Sequence, residues 1–156
     1  MIFGKQKALA MEGLKVRVCD IQADGLDSNL KFPATDLGLE NVQDIHFADP
    51  IQVSFHLEKV SNTVIAHAIV KTQITSSCSR CLEPAEETLK QDLHFTYPIE
   101  KQTDYVDLSE DIRQEIIMQL PIQLLCNDNC KGLCPQCGGN KNIQECQCKS
   151  FDDKDK

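Results

Sequence analysis

No stretch of this sequence approaches the roughly 18 consecutive apolar residues of a membrane span, so no transmembrane helix is expected. The opening residues Met1-Ile2-Phe3-Gly4-Lys5-Gln6-Lys7-Ala8 have no apolar segment after their charges, and the reading expects no secretory leader and a cytoplasmic location. Basic residues are the scarcer charge, 16 Lys and Arg against 24 Asp and Glu, for a formal net charge of −8. That excess gives little general attraction for a phosphate backbone and argues against sequence-independent nucleic-acid binding. Partners with basic surfaces fit it better, and the same charge also serves solubility. Familiar catalytic signatures are missing too: there is no glycine-rich phosphate loop, no Gly-x-Ser-x-Gly and no His-Glu-x-x-His. His46, His56, His67 and His94 are scattered, the last three among alternating apolar residues, and read as exposed or cross-strand positions in preference to metal ligands. Asp104, Asp107, Glu110 and Asp111 read as a solvated loop and helix start. An enzyme is not expected.

Cysteine is what the chain has in quantity. Of nine cysteines, eight fall into the close pairs Cys78-x-x-Cys81, Cys126-x-x-x-Cys130, Cys134-x-x-Cys137 and Cys146-x-Cys148, while Cys19 stands alone. A disulfide framework would suit a shorter, secreted chain, and an odd count leaves one thiol over. Tetrahedral zinc takes four thiolates, so eight paired cysteines suit two structural ions. In Cys134-Pro135-Gln136-Cys137-Gly138 the two-residue spacer lets both sulfurs reach one ion at about 2.3 Å, and the glycine lets the backbone turn its amides toward them. Four thiolates also suit iron, which the colour of the protein would reveal.

Three partitions of these ligands are open. The favoured one couples Cys78 and Cys81 with Cys126 and Cys130, and leaves Cys134, Cys137, Cys146 and Cys148 as a local knuckle. It would tie a strand-to-strand turn to the segment leaving the helix and close a tail too short for its own core. A second puts Cys126, Cys130, Cys134 and Cys137 on one ion, at the cost of crowding. A third uses four cysteines and leaves the rest as free thiols. Redox chemistry at Cys78-Ser79-Arg80-Cys81 is the rival function. A thioredoxin-like pair sits at a helix N-terminus after a strand, whereas here Leu82-Glu83-Pro84-Ala85-Glu86-Glu87 follows in an antiparallel setting.

The remaining pattern is strands, then a helix. Leu14 to Cys19 alternates and predicts a strand; Asp20 to Leu30, with Gly25, Asp27, Ser28 and Asn29, predicts turn or loop; Phe32 to Glu40 has no sustained period. Ile51 to Leu57 and Val64 to Val70, continuing towards Ile74, flank Ser61-Asn62 and predict an antiparallel hairpin. Leu89 to Tyr97 predicts another strand, so that the first cysteine pair occupies a turn. Pro98 to Val106 predicts a loop. Leu108, Ile112, Ile116 and Leu120, with Ile117 beside them, then mark one face of a helix opened by Asp107 and Glu110 in a capping-box spacing and ended by Pro121. The expected fold is α+β: an antiparallel β-sheet packed with one principal helix over residues 1–125, a C-terminal cysteine-rich zinc knuckle over 126–150 packed on it, and a disordered tail at 151–156.

The succession Cys78-Ser79-Arg80-Cys81-Leu82-Glu83-Pro84, Phe95-Thr96-Tyr97-Pro98, Val106-Asp107-Leu108, Ile112 to Pro121, Leu125-Cys126 and Cys130-Lys131-Gly132-Leu133-Cys134-Pro135-Gln136-Cys137-Gly138 resembles the bacterial large ribosomal RNA subunit accumulation proteins, the YceD-type family. The resemblance covers about residues 50 to 148, and its most specific part is the run from Cys130 to Gly138. It implies a non-catalytic factor for accumulation or processing of large-subunit ribosomal RNA, with a counterpart in plastids. Family members vary in keeping the cysteine pairs, which implies that metal is a structural device. Expected partners are a ribosomal protein or a large-subunit assembly or processing complex. Lys131, Lys141 and Lys149 against Asp128 and Glu145 leave the tail about neutral, so direct contact with ribosomal RNA stays open. The alternative is a stand-alone zinc-ribbon module binding nucleic acid or a transcription partner. The sequence does not specify the oligomeric state.

Overall fold

A computed structural model describes residues 13–40, 42, 44–47 and 50–148. The expected disordered tail at 151–156 lies outside the described residues. Of those described, the residues up to Thr75 together with Glu87–Leu120 form one compact unit, and Ser76–Glu86 with the residues from Pro121 onward form another.

The first unit is built mainly of antiparallel strands. β1 (Lys15–Arg17), β2 (Leu26–Phe32), β3 (His46–Phe47), β4 (Ile51–Val60), β5 (Thr63–Ser77), β6 (Pro84–Pro98) and β7 (Tyr105–Asp107) precede helix α1 (Ser109–Gln119). A five-stranded sheet runs β2-β4-β5-β3 with β6 also paired to β5, and β1 pairs β7 in a separate two-stranded sheet. Alternation decides which face is buried. Ile51, Val53, Phe55 and Leu57 of β4 and Val64, Ala66, Ala68 and Val70 of β5 point inward and join one core, while Gln52, Ser54 and Lys71 face out. The β4–β5 hairpin turns through Ser61 at φ 55°, at the expected polar break. On α1 and its flanks the stripe Leu108, Ile112, Ile116 and Leu120 is buried, with exposures of 0%, 0%, 1% and 6%. At about 1.5–3 kcal/mol per fully buried large aliphatic side chain, that face is what holds the helix.

The expected Asp107–Glu110 capping box does not form: the N-cap is Leu108, which has no side-chain cap bond, and Asp107 just before it accepts at Oδ1 from the Ser109 backbone N–H at 2.9 Å and from the Ser109 hydroxyl at 2.5 Å. Asp107 thus occupies one of the orphan donors of the first turn.

Three local expectations are overturned. Leu26–Phe32, taken for part of a turn or loop and the start of an irregular stretch, is strand β2 and pairs with β4 from Leu26↔Leu57 to Phe32↔Ile51. Its alternation is masked because Ser28 fills one of the inward positions between Leu26 and Leu30, while the turn-forming Asp27 and Asn29 lie on the outward side. Tyr105–Asp107, read as loop and helix cap, is strand β7, which the backbone of β1 completes through Val16↔Val106. Pro84, read as part of the turn, is the first residue of β6, a position where proline's missing N–H is tolerated.

Candidate metal centres

The second unit gathers eight cysteines into two groups of four. Ser76–Glu86 takes in the end of β5, the turn after it and the start of β6, and its backbone folds tightly: the Cys78 N–H donates to the Glu83 carbonyl at 2.7 Å, the Leu82 N–H donates to the Cys78 carbonyl at 3.0 Å, and Leu82 takes φ 62°. The C-terminal segment clamps this turn. The Ser79 N–H donates to the Leu124 carbonyl at 2.9 Å, the Leu133 N–H to the Arg80 carbonyl at 3.1 Å, and the Arg80 guanidinium to the Cys130 carbonyl at 3.0 Å. Gly132, at φ 72°, passes so close that a Cβ there would lie 3.1 Å from the Arg80 carbonyl oxygen. Both the left-handed backbone and the close approach require glycine.

These bonds bring Cys78, Cys81, Cys126 and Cys130 together, with all four sulfurs within 4.8 Å of one another. Cys81 Sγ lies 3.5 Å from Cys126 Sγ and Cys78 Sγ lies 3.8 Å from Cys130 Sγ. Those separations are far beyond the roughly 2.05 Å of a disulfide. They match the edge of about 3.8 Å that a tetrahedron with 2.3 Å metal–sulfur bonds would have. Cys78, Cys81 and Cys130 are buried and Cys126 is exposed.

Cys134, Cys137, Cys146 and Cys148 form the second group, likewise within 4.8 Å. The knuckle closes through the Gly138 N–H to the Cys134 carbonyl at 2.8 Å and the Cys134 N–H to the Gly139 carbonyl at 2.8 Å, with Gly138 at φ 71°. The sulfurs are therefore grouped as in the first of the three partitions, and Cys19 belongs to neither group.

The electrostatics of both groups suit a cation. In Cys134 the backbone N–H groups of Cys137 and Gln136 point at the sulfur and hold its pKa down to about 6. Burial works to raise Cys78, but the N–H groups of Cys81, Arg80 and Cys126 outweigh it and bring this thiol to about 6 as well. Burial likewise opposes ionisation of Cys130, yet the Asn142 side-chain amide and the Gly132 N–H leave it lowered. The neighbouring thiols move the other way. Hydrogen bonding to Cys81 pushes Cys126 up to about 12, and hydrogen bonding to Cys137 pushes Cys148 up to about 12. The Glu83 amide works to lower Cys81, but burial and its sulfur neighbours leave it raised. Without a cation each group thus mixes thiolate with thiol, because adjacent negative sulfurs repel. A divalent ion among four sulfurs removes that conflict, so the donor set fits a thiophilic metal.

Sequence spacing does not reveal the supporting amides. Asn142 donates to Cys130 Sγ at 3.3 Å while its Oδ1 accepts from the Lys131 N–H at 2.8 Å, and Asn127 donates to Cys126 Sγ at 3.5 Å. The only hint is that Asn127 lies beside a cysteine; Asn142 is distant from Cys130 in sequence.

Comparison with known proteins finds sequence relatives. The family model described as large ribosomal RNA subunit accumulation protein YceD matches residues 97–155, from the end of β6 through α1 and the C-terminal cysteines. Over those residues the chain is similar to the YceD proteins. Large ribosomal RNA subunit accumulation protein YCED homolog 1, chloroplastic, of Arabidopsis thaliana is 27% identical over 75% of this chain and 49% of its own length. The Zea mays protein of the same name is 26% identical over 64% of this chain and 49% of its own length. An uncharacterised protein of Mycobacterium leprae is 32% identical over 65% of this chain and 54% of its own. The chain spans about half the length of these relatives. No solved structure matches it. Among the described residues, no helix is long and apolar enough to cross a membrane.

Proposed function

We propose that this chain is a non-catalytic cytoplasmic factor that supports accumulation of large-subunit ribosomal RNA in ribosome biogenesis. The observation that carries the reading is the family match over residues 97–155, together with two plant relatives named for that role. Zinc is the proposed cofactor, one ion on Cys78, Cys81, Cys126 and Cys130 and one on Cys134, Cys137, Cys146 and Cys148, each purely structural. Sulfur separations near a tetrahedral edge support this, as do amides aimed at the sulfurs. With four protein ligands each, neither ion keeps the open position that a catalytic zinc needs. The acidic chain is proposed to act by holding a basic ribosomal protein or by joining an assembly or processing complex.

Depletion of the protein in its own cell tests the reading. The ratio of large- to small-subunit ribosomal RNA should fall and large-subunit precursors should accumulate. An unchanged ratio with a normal precursor pattern would discard the ribosomal role and favour an independent zinc-ribbon module.

A further inference from the structure

On the outward face of the five-stranded sheet the strands bring three of the four histidines together without any sequence motif. His56 on β4 is directly opposite His67 on β5, and Asp27 on β2 is directly opposite His56. His56 Nδ1 is bonded to Asp27 Oδ1 at 2.8 Å, which occupies that nitrogen. Beside it, the rings of His67 and His94 stack in parallel, with centroids 4.5 Å apart and planes within 1°. Both present Nε2 to the same Oδ1 of Asp92, His67 at 2.5 Å and His94 at 3.4 Å.

An exposed histidine–carboxylate pair by itself contributes little, about 0–1 kcal/mol. What singles out this cluster is convergence. Two imidazole nitrogens and one carboxylate oxygen lie within 4.8 Å of one another at the surface, with side-chain exposures of 41%, 62% and 70% for His67, Asp92 and His94. Asp92 and His94 are two residues apart on β6 and therefore share a face, while His67 comes from the paired strand β5. Donors on adjacent paired strands are held by the sheet, so little more than side-chain rotation remains to be fixed on binding. Two donors each about 2.0–2.2 Å from a tetrahedral ion lie about 3.4 Å apart. His94 and Asp92 already have that separation, and His67 need only open from hydrogen-bond distance.

We propose that His67, Asp92 and His94 form a surface site for a divalent first-row transition-metal ion, separate from the cysteine groups and completed by water. Imidazole with carboxylate is the donor set that zinc, cobalt, nickel and copper accept, and the exposed side supplies the open positions. A bound ion would bridge β5 and β6 reversibly, with faster exchange than a buried tetrathiolate site. His56 is not a ligand, because its donor atoms do not belong to the group within 4.8 Å that His67, Asp92 and His94 form.

The test uses the full chain as isolated, titrated with Ni(II) and followed by calorimetry, histidine ring resonances and absorption. Absorption matters because nickel bound to thiolate sulfur shows charge-transfer bands that nickel on imidazole and carboxylate lacks. The wild type should take up one Ni(II) without those bands, and the His67 and His94 ring signals should broaden first. D92N should bind at least tenfold more weakly, the double variant H67N/H94N should lose the uptake, and H56N should keep it. All four positions are exposed or half-buried, and urea unfolding checks that each variant is folded. Absence of uptake by the wild type overturns the proposal. So does uptake that is unchanged in the double variant, lost equally in H56N, or accompanied by thiolate bands.

Discussion

At the scale of single residues, the first unit contains one hydrogen bond to test for strength and one buried hydroxyl that lacks a partner. The Tyr97 hydroxyl donates to Asp111 Oδ2 at 2.5 Å, joining the end of β6 to α1. Burial, that bond, and the negative charges of Asp111 and Asp107 together raise the phenol's pKa above its ordinary 10.0. Tyr97→Phe should cost about 1–2 kcal/mol, since it strips a part-buried carboxylate of its donor. The pH dependence follows from the direction of the shift. Above pH 10 the unfolded chain releases this proton and the folded chain keeps it, so stability from Tyr97 is complete below about 10 and lost at higher pH. Urea midpoints measured from about pH 8 to about pH 11 should therefore fall in the wild type and fall less steeply in Tyr97→Phe. Parallel limbs would mean that the phenol is not the group responsible. Thr72 presents the opposite situation. It lies on the inward face of β5, 4% exposed, with its hydroxyl bonded to nothing. Thr72→Val keeps the shape and removes the buried polar atom, so it should stabilise the fold by about 1 kcal/mol. A lower unfolding midpoint in the variant would show that the hydroxyl has a partner after all.

At the scale of elements, the proposed metal bears on stability. The connection between β5 and β6 and the segment after α1 have few buried apolar side chains of their own; besides the cysteines, Ala85 and Leu124 are the buried apolar residues there. Small units of this kind draw their folding energy from the ion. The isolated protein should contain two zinc ions per chain by atomic emission, and Cys78→Ser and Cys134→Ser should each lower that to one. Two ions in either variant would contradict the assignment of ligands. A chelator should remove both while the sheet and α1 keep their circular dichroism, because the first unit has its own core of β4, β5 and helix residues. The sequence shows this division incompletely, for reasons that particular residues illustrate. The α1 stripe from Leu108 to Leu120 and the hairpin around Ser61 are legible because one period of apolar residues defines each. Strand β2 is not, since Asp27 and Asn29 signal a turn while the partner strand β4 supplies the decisive hydrogen bonds. The cysteine pairs suggest a metal by spacing alone. Which sulfurs lie near one another follows from contacts such as Leu133 N–H to the Arg80 carbonyl, remote in sequence, and the His67, Asp92 and His94 cluster depends on strand register in the same way.

For the whole molecule the deciding quantity is charge. The formal −8 counts every cysteine as neutral, and each proposed zinc held by four thiolates would add about −2, so a loaded protein would be more acidic than its composition suggests. Local cations do not reverse this. The groove containing Arg17, Lys59 and Lys101 also contains Glu100 and Asp104, so the field at its mouth is mixed. A protein that gripped ribosomal RNA through its phosphates would release counterions on binding, and its affinity would fall steeply with salt. The proposed protein-mediated role predicts the contrary: the metal-loaded full chain should show no salt-sensitive retention of an unrelated duplex RNA in filter binding, even at low ionic strength. It should instead be retained by immobilised basic ribosomal proteins, with an affinity that weakens as salt screens the attraction. Tight, salt-dependent binding of unrelated RNA would overturn the protein-mediated mechanism while leaving the ribosomal role intact, since depletion tests that role separately. Retention of neither RNA nor basic protein would remove electrostatics as the basis of partner choice, and the apolar side chains left exposed, such as Ile122 and Ile143, would then be the first surfaces to substitute.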